Sequence, residues 1–146
     1  MQLSEYLDNV RRKNPLVHHI TNYVTVNDCA NACLAIGASP VMADAIDEAG
    51  SMASISSALV LNIGTLNVNK VESMMVAGRS ANAGHKPVVF DPVGCGATPF
   101  RNRMADEIMN NVSMTVVRGN MSEIASLGGQ NVFTKGVDAG ETADIK

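Results

Sequence analysis

The run Asp91-Pro92-Val93-Gly94-Cys95-Gly96-Ala97-Thr98-Pro99-Phe100-Arg101 follows an apolar stretch and precedes a helix-like segment. Its residue types suit phosphate chemistry. Two glycines permit backbone geometry that a Cβ forbids, and Thr98-Pro99 offers an N-cap followed by proline at the first helical position. Amides facing outward from such a turn can hold an anion against a helix N-terminus. Asp91, at the strand end, can hold the Mg²⁺ that accompanies nucleotide phosphates. An ordinary strand-to-helix connection uses the same residues, and Asp commonly initiates turns, so this segment alone leaves both readings open.

Other groups have competing readings. Asn120 can cap the helix that follows it, with Glu123 completing a capping box three residues later. His18 and His19 adjoin on a strand, where alternation sends them to opposite faces and prevents them from sharing one metal ion. Cys29 and Cys33 share a helix face, but no His or second Cys pair completes a ligand set, so they read as small buried hydrophobes. Cys95, near a helix N-terminus, could have a lowered thiol pKa if exposed. The methionine clusters Met74-Met75 and Met104, Met109 and Met114 read as adaptable core.

The elements that would position these groups alternate regularly. Helical patterning is expected over residues 2–12, 25–36, 47–57, 67–83, 98–111 and 121–127, with Gly37, Gly84 and Gly128-Gly129 as exits. Strands are expected over residues 16–21, 39–43, 58–63, 86–90 and 114–117. Strands of Val, Leu and Ile without alternation are buried on both faces. With helices between them they make a mainly parallel α/β sheet with right-handed crossovers. Ligands in such sheets collect beyond the carboxyl ends of the strands. Those ends carry Thr21-Asn22, Gly64-Thr65, residues 91–96 and Arg118-Gly119-Asn120.

Composition narrows the class. A chain of 146 residues with 46% hydrophobic and 17% charged residues fits one globular domain. A net charge of −3 and five aromatics without tryptophan give neither the basic footprint nor the stacking platform that nucleic-acid binding uses. No window is apolar enough to span a membrane, residues 1–13 lack a signal core, and three cysteines do not form a disulfide framework. The expectation is a cytoplasmic protein without nucleic-acid or membrane partners. Residues 136–146 lack a sustained apolar face and read as loop or frayed, and no internal domain boundary is marked.

Five stretches taken in order resemble the motifs of the hydroxyethylthiazole kinase family, across residues 16–127. They are His18-His19-Ile20-Thr21-Asn22-Tyr23-Val24, Gly37-Ala38-Ser39-Pro40-Val41-Met42-Ala43, Leu61-Asn62-Ile63-Gly64-Thr65-Leu66, residues 91–101, and Arg118-Gly119-Asn120-Met121-Ser122-Glu123-Ile124. The resemblance implies a ribokinase-like α/β fold with a mainly parallel sheet flanked by helices. It also implies phosphorylation of the hydroxyethyl group of 4-methyl-5-(2-hydroxyethyl)thiazole by ATP and Mg²⁺, in thiamine salvage. By the same resemblance Arg118 and Asn120 would bind ATP, and Asp91 and Glu123 would serve the metal, Asp91 through water. Met42 would contact the thiazole, Asn22 and Val24 would line its pocket, and Gly64-Thr65 would help shape the nucleotide side. The family often has cysteine in place of His19 and alanine in place of Cys95, and it forms trimers, so a homo-oligomer is expected.

The resemblance further implies that residues 1–146 form a single partial ribokinase-like domain, the amino-terminal portion of the family's chain. Ribokinase-like enzymes place the anion hole and the catalytic base at a second glycine-rich turn. Neither Gly128-Gly129 nor residues 136–140 follows an apolar strand and opens a helix as that turn requires. No catalytic base is therefore assigned, and the chain is expected to be weakly active or inactive. Two alternatives stand beside this one: a non-catalytic α/β module that binds nucleotide or ligand, and a related kinase acting on another vitamin or small alcohol.

Overall fold

The computed structural model describes residues 2–129, so the expected loop over 136–146 lies outside it. The chain runs through α1 (Leu3–Lys13), β1 (Leu16–Ile20), α2 (Val26–Ala35), β2 (Ser39–Val41), α3 (Ile46–Ile55) and β3 (Ala58–Asn62). It continues through α4 (Val68–Ala83), β4 (Val88–Asp91), α5 (Pro99–Asn111), β5 (Val116–Val117) and α6 (Met121–Leu127). Each expected element is present in order, because local signals mark its ends. Thr98 accepts a hydrogen bond from the Arg101 N–H and is followed by proline at the start of α5, and Asn67 caps α4 in the same way through the Lys70 N–H.

The five strands are all parallel in the order β2-β1-β3-β4-β5. The chain steps outward from β1 to β2 and then reverses across the sheet to β3. With right-handed crossovers, that reversal puts α2 on one face and α3, α4 and α5 on the other. On the second face Ile20, Leu59, Leu61, Val88 and Phe90 meet Ala49 and Ala53 of α3, Val71, Met74 and Ala77 of α4, and Ala105 and Ile108 of α5. The many alanines let these helices lie close to the sheet.

The expectation of strands buried on both faces is met on that side only. On the α2 face Val17, His19, Val60 and Val89 are half-buried, since α2 alone among the crossover helices lies there. Together with Cys29, Ala32, Cys33 and Ile36 they line a cavity of about 460 Å³ that runs up to Thr21, Asn62, Asp91 and Arg118. His18 is fully buried on the α3 face and His19 borders the cavity, as strand alternation requires. Cys33 is buried and Cys29 half-buried, and among the described residues no group of three or more His, Cys, Asp or Glu could hold a metal ion. Met74 lies in the core and Met75, Met104 and Met114 pack against it; Met109, read as core, is exposed on the outer side of α5.

Candidate active site

Polar side chains form a row across the carboxyl ends of the strands. Asn22 Nδ2 donates to Asn62 Oδ1 (3.0 Å), Asn62 Nδ2 donates to Asp91 Oδ2 (3.0 Å), and Arg118 Nη2 lies 3.0 Å from the same oxygen. The parallel register of β3 and β4 places Asn62 opposite Asp91. The row begins between β1 and β3, where the strand order reverses, which is where open α/β sheets bind ligands. Asn22 Oδ1 accepts from the Thr25 N–H (3.0 Å) and Thr25 Oγ1 (3.1 Å), tying the row to the start of α2. Asn62 Oδ1 also accepts from the Gly64 N–H (2.9 Å). A Cβ at Gly64 would stand 2.9 Å from Asn22 Cβ, so the close approach needs glycine.

Burial pushes the Asp91 carboxyl above its usual pKa of 3.8, and the Glu123 charge adds to that; the Arg118 guanidinium and the Asn62 amide pull it back without cancelling the shift. Asn62 and Arg118 both contact the Oδ2 atom of Asp91. Arg118 is different in character. Its side chain is 71% exposed, so Asp91 anchors a guanidinium whose remaining donors face solvent.

The glycine turn does not present its amides. The Val93 N–H donates to Asp91 O, Gly94 to Glu123 Oε1, Cys95 to Pro92 O, Gly96 to Asn102 Oδ1 and Ala97 to Gly94 O. All five are used within the fold, which corrects the expectation of outward-facing amides that hold an anion. Gly94 and Gly96 still need their type, with φ of 75° and 93°. Cys95 is buried, and burial raises its thiol pKa, so the thiol is not activated by the neighbouring helix.

Glu123 explains part of this arrangement. Its Oε1 accepts from the Gly94 N–H (2.8 Å) and its Oε2 from the Asn120 N–H (2.9 Å), while Asn120 Oδ1 accepts from the Glu123 N–H (2.9 Å). The capping box read from the sequence is therefore present, and it also grips the turn after β4. Glu123 is only 4% exposed. Arg101 braces the same turn: Nη1 donates to Ile63 O (2.8 Å) and Val93 O (2.7 Å), and Nη2 donates to Gly64 O (2.9 Å).

Asn22, Asp91 and Arg118 thus fall into one row with Asn62, and Asn120 and Glu123 into a second group that holds the neighbouring turn. Among the described residues, Met42 and Val24 make no hydrogen bond or ion pair to either group. Met42 is half-buried just past edge strand β2, and Val24 is 81% exposed in the loop between β1 and α2. His18 supports the Met42 segment, its Nε2–H donating to Ala43 O at 2.6 Å. Asn62, Arg101 and Lys70 were not singled out from the sequence. A polar residue ending the apolar run Ala58-Leu59-Val60-Leu61 is a readable signal for Asn62. Nothing local marks the other two.

A family model described as "Hydroxyethylthiazole kinase family" matches residues 7–146. Hydroxyethylthiazole kinase of Ruminiclostridium cellulolyticum is 57% identical over 145 residues, covering 99% of this chain and 53% of that protein. The Clostridium tetani protein of the same name is 61% identical over 130 residues, 89% of this chain and 47% of its own. The solved structure of the hydroxyethylthiazole kinase protein from Pyrococcus horikoshii superposes with a TM-score of 0.82 at 50% identity, over 86% of this chain and 49% of that one. The chain spans about half the length of the curated relatives it matches. With its parallel sheet, its strand-end row and these matches, the chain belongs to the hydroxyethylthiazole kinase family.

Proposed function

We propose that this chain carries the metal- and phosphate-binding side of a cytoplasmic kinase that transfers the γ-phosphoryl group of ATP to the hydroxyethyl group of 4-methyl-5-(2-hydroxyethyl)thiazole in thiamine salvage. The row Asn22, Asn62, Asp91 and Arg118, laid across the strand ends in a chain of this family, is the observation that carries the reading. Arg118 binds and orients phosphate, and its contact with Asp91 holds it in place before the nucleotide arrives. Mg²⁺ bound with ATP supplies charge neutralisation at the phosphate oxygens. Asp91 suits it, since a single carboxylate completed by waters and substrate phosphates is a common Mg²⁺ environment. Glu123 and Asn120 serve the nucleotide side, Glu123 through the two amides it holds. Met42, Asn22 and Val24 form the alcohol side, where a polarisable thioether suits a flat sulfur heterocycle.

By itself the 146-residue chain phosphorylates weakly or not at all, since no catalytic base or second glycine-rich turn is assigned among the described residues and the amides of residues 93–97 are used within the fold. A homo-oligomer, by resemblance a trimer, is part of the same reading, and the exposed Tyr23 and Val24 suit coverage by a neighbouring copy. Calorimetry with Mg-ATP and the thiazole alcohol, read beside a coupled kinase assay, tests the proposal. Binding of Mg-ATP that depends on Arg118 supports it, and unchanged binding by Arg118→Met sinks it. Binding of both ligands with no turnover, even in a version as long as the curated relatives, favours the non-catalytic module.

A further inference from the structure

Lys70 stands where a lysine is least expected. It lies in the first turn of α4, where the helix dipole disfavours a cation, and it is only 4% exposed. A buried ammonium is tolerated only when it is paired and hydrogen-bonded. Nζ donates to Thr21 O at 3.0 Å, lies 3.5 Å from the centre of the Tyr23 ring, and is 3.6 Å from Asp44 Oδ2. Tyr23 OH in turn donates to Asp44 Oδ2 at 3.4 Å. These contacts close a triangle over three segments: the start of α4, the loop after β1 and the loop after β2.

The two loops tied together here are those that carry Asn22 and Val24 on one side and Met42 on the other. We propose that Lys70 is a positioning residue for the acceptor alcohol: its ammonium fixes the β1 loop against the β2 loop and so sets affinity for the alcohol without touching the nucleotide side. The proposal rests on the reading above that these loops receive the alcohol. Local preference is violated at Lys70 and, among the described residues, is compensated by contacts to these loops, a pattern expected at functional sites.

The test uses the 146-residue chain with Lys70→Met, Asp44→Asn and the double variant. Amide exchange followed by NMR is expected to be about tenfold faster at residues 21–25 and 42–45 in Lys70→Met, with the core amides of β3 and β4 unchanged. Calorimetry should show the thiazole alcohol bound about tenfold more weakly and Mg-ATP within about twofold of the parent. The double variant should lose no more than Lys70→Met alone, since the pair acts as one unit. Asp44 is partly exposed, so Asp44→Asn carries the same exchange test if Lys70→Met does not fold. Unchanged exchange in the two loops, or an equal loss of both ligands, would overturn the proposal. A parent chain that binds no alcohol counts against the function proposed above, and loop exchange alone then decides the role of Lys70.

Discussion

Glu123 Oε1 accepts the Gly94 N–H at 2.8 Å, joining the start of α6 to the turn after β4 across 29 residues of chain. This contact turns the glycine segment inward, while Arg118 at the end of β5 keeps its guanidinium exposed. Glu123→Ala leaves the buried Gly94 amide and the Asn120 amide without acceptors, at about 1–3 kcal/mol for the fully buried one. Urea unfolding should show a loss of about 2–4 kcal/mol for Glu123→Ala and a smaller one for Glu123→Gln, which keeps one acceptor. Equal stability of Glu123→Ala and the parent would remove the clamp from the account.

Arg118 and Asp91 should separate stability from ligand affinity. The exposed guanidinium contributes little to folding, so Arg118→Met is expected within about 0.5 kcal/mol of the parent. Its Mg-ATP affinity should fall at least about tenfold. Asp91→Asn keeps the shape of the side chain but removes a charge that burial disfavours. Its melting temperature should hold or rise while the dependence of nucleotide binding on Mg²⁺ disappears.

Arg101 donates three hydrogen bonds to carbonyls of the loops after β3 and β4. No shorter or unbranched cation can reach all three in the same geometry. Arg101→Met is expected to cost about 3 kcal/mol, and Arg101→Lys more than half of that, as read by denaturant midpoints. Since the loops it joins flank Asp91, nucleotide affinity should fall with stability in both variants.

His18 and His19 give the fold a pH dependence of definite sign. Burial lowers the pKa of His18 and of His19 below 6.5, so the unfolded chain takes up protons first as pH falls. Stability is therefore full above pH 6.5 and is lost as pH drops through the folded-state values. His18→Gln retains a donor for Ala43 O but does not titrate. Its urea midpoint should change less between pH 7.5 and 5.5 than that of the parent, and an identical pH profile would assign the dependence elsewhere.

The order and type of the elements, the N-caps of α5 and α6, and the five family motifs were all determined by the sequence alone. Each depends on signals within a few residues: apolar runs for β3 and β4, Thr98-Pro99 at the start of α5, and the Asn120 and Glu123 pair at the start of α6. Asp91 and Arg118 were legible for the same reason, as polar residues ending apolar strands. Only the tertiary structure decided that the amides of Gly94 and Gly96 turn toward Glu123 and Asn102, that one sheet face is half-covered, and that Lys70 reaches Thr21 across 49 residues. Those partners are chosen by sheet register and by the side of the sheet on which each crossover helix lands. Register and helix placement follow from packing of the whole chain, so no local pattern around Lys70 or Gly94 encodes them.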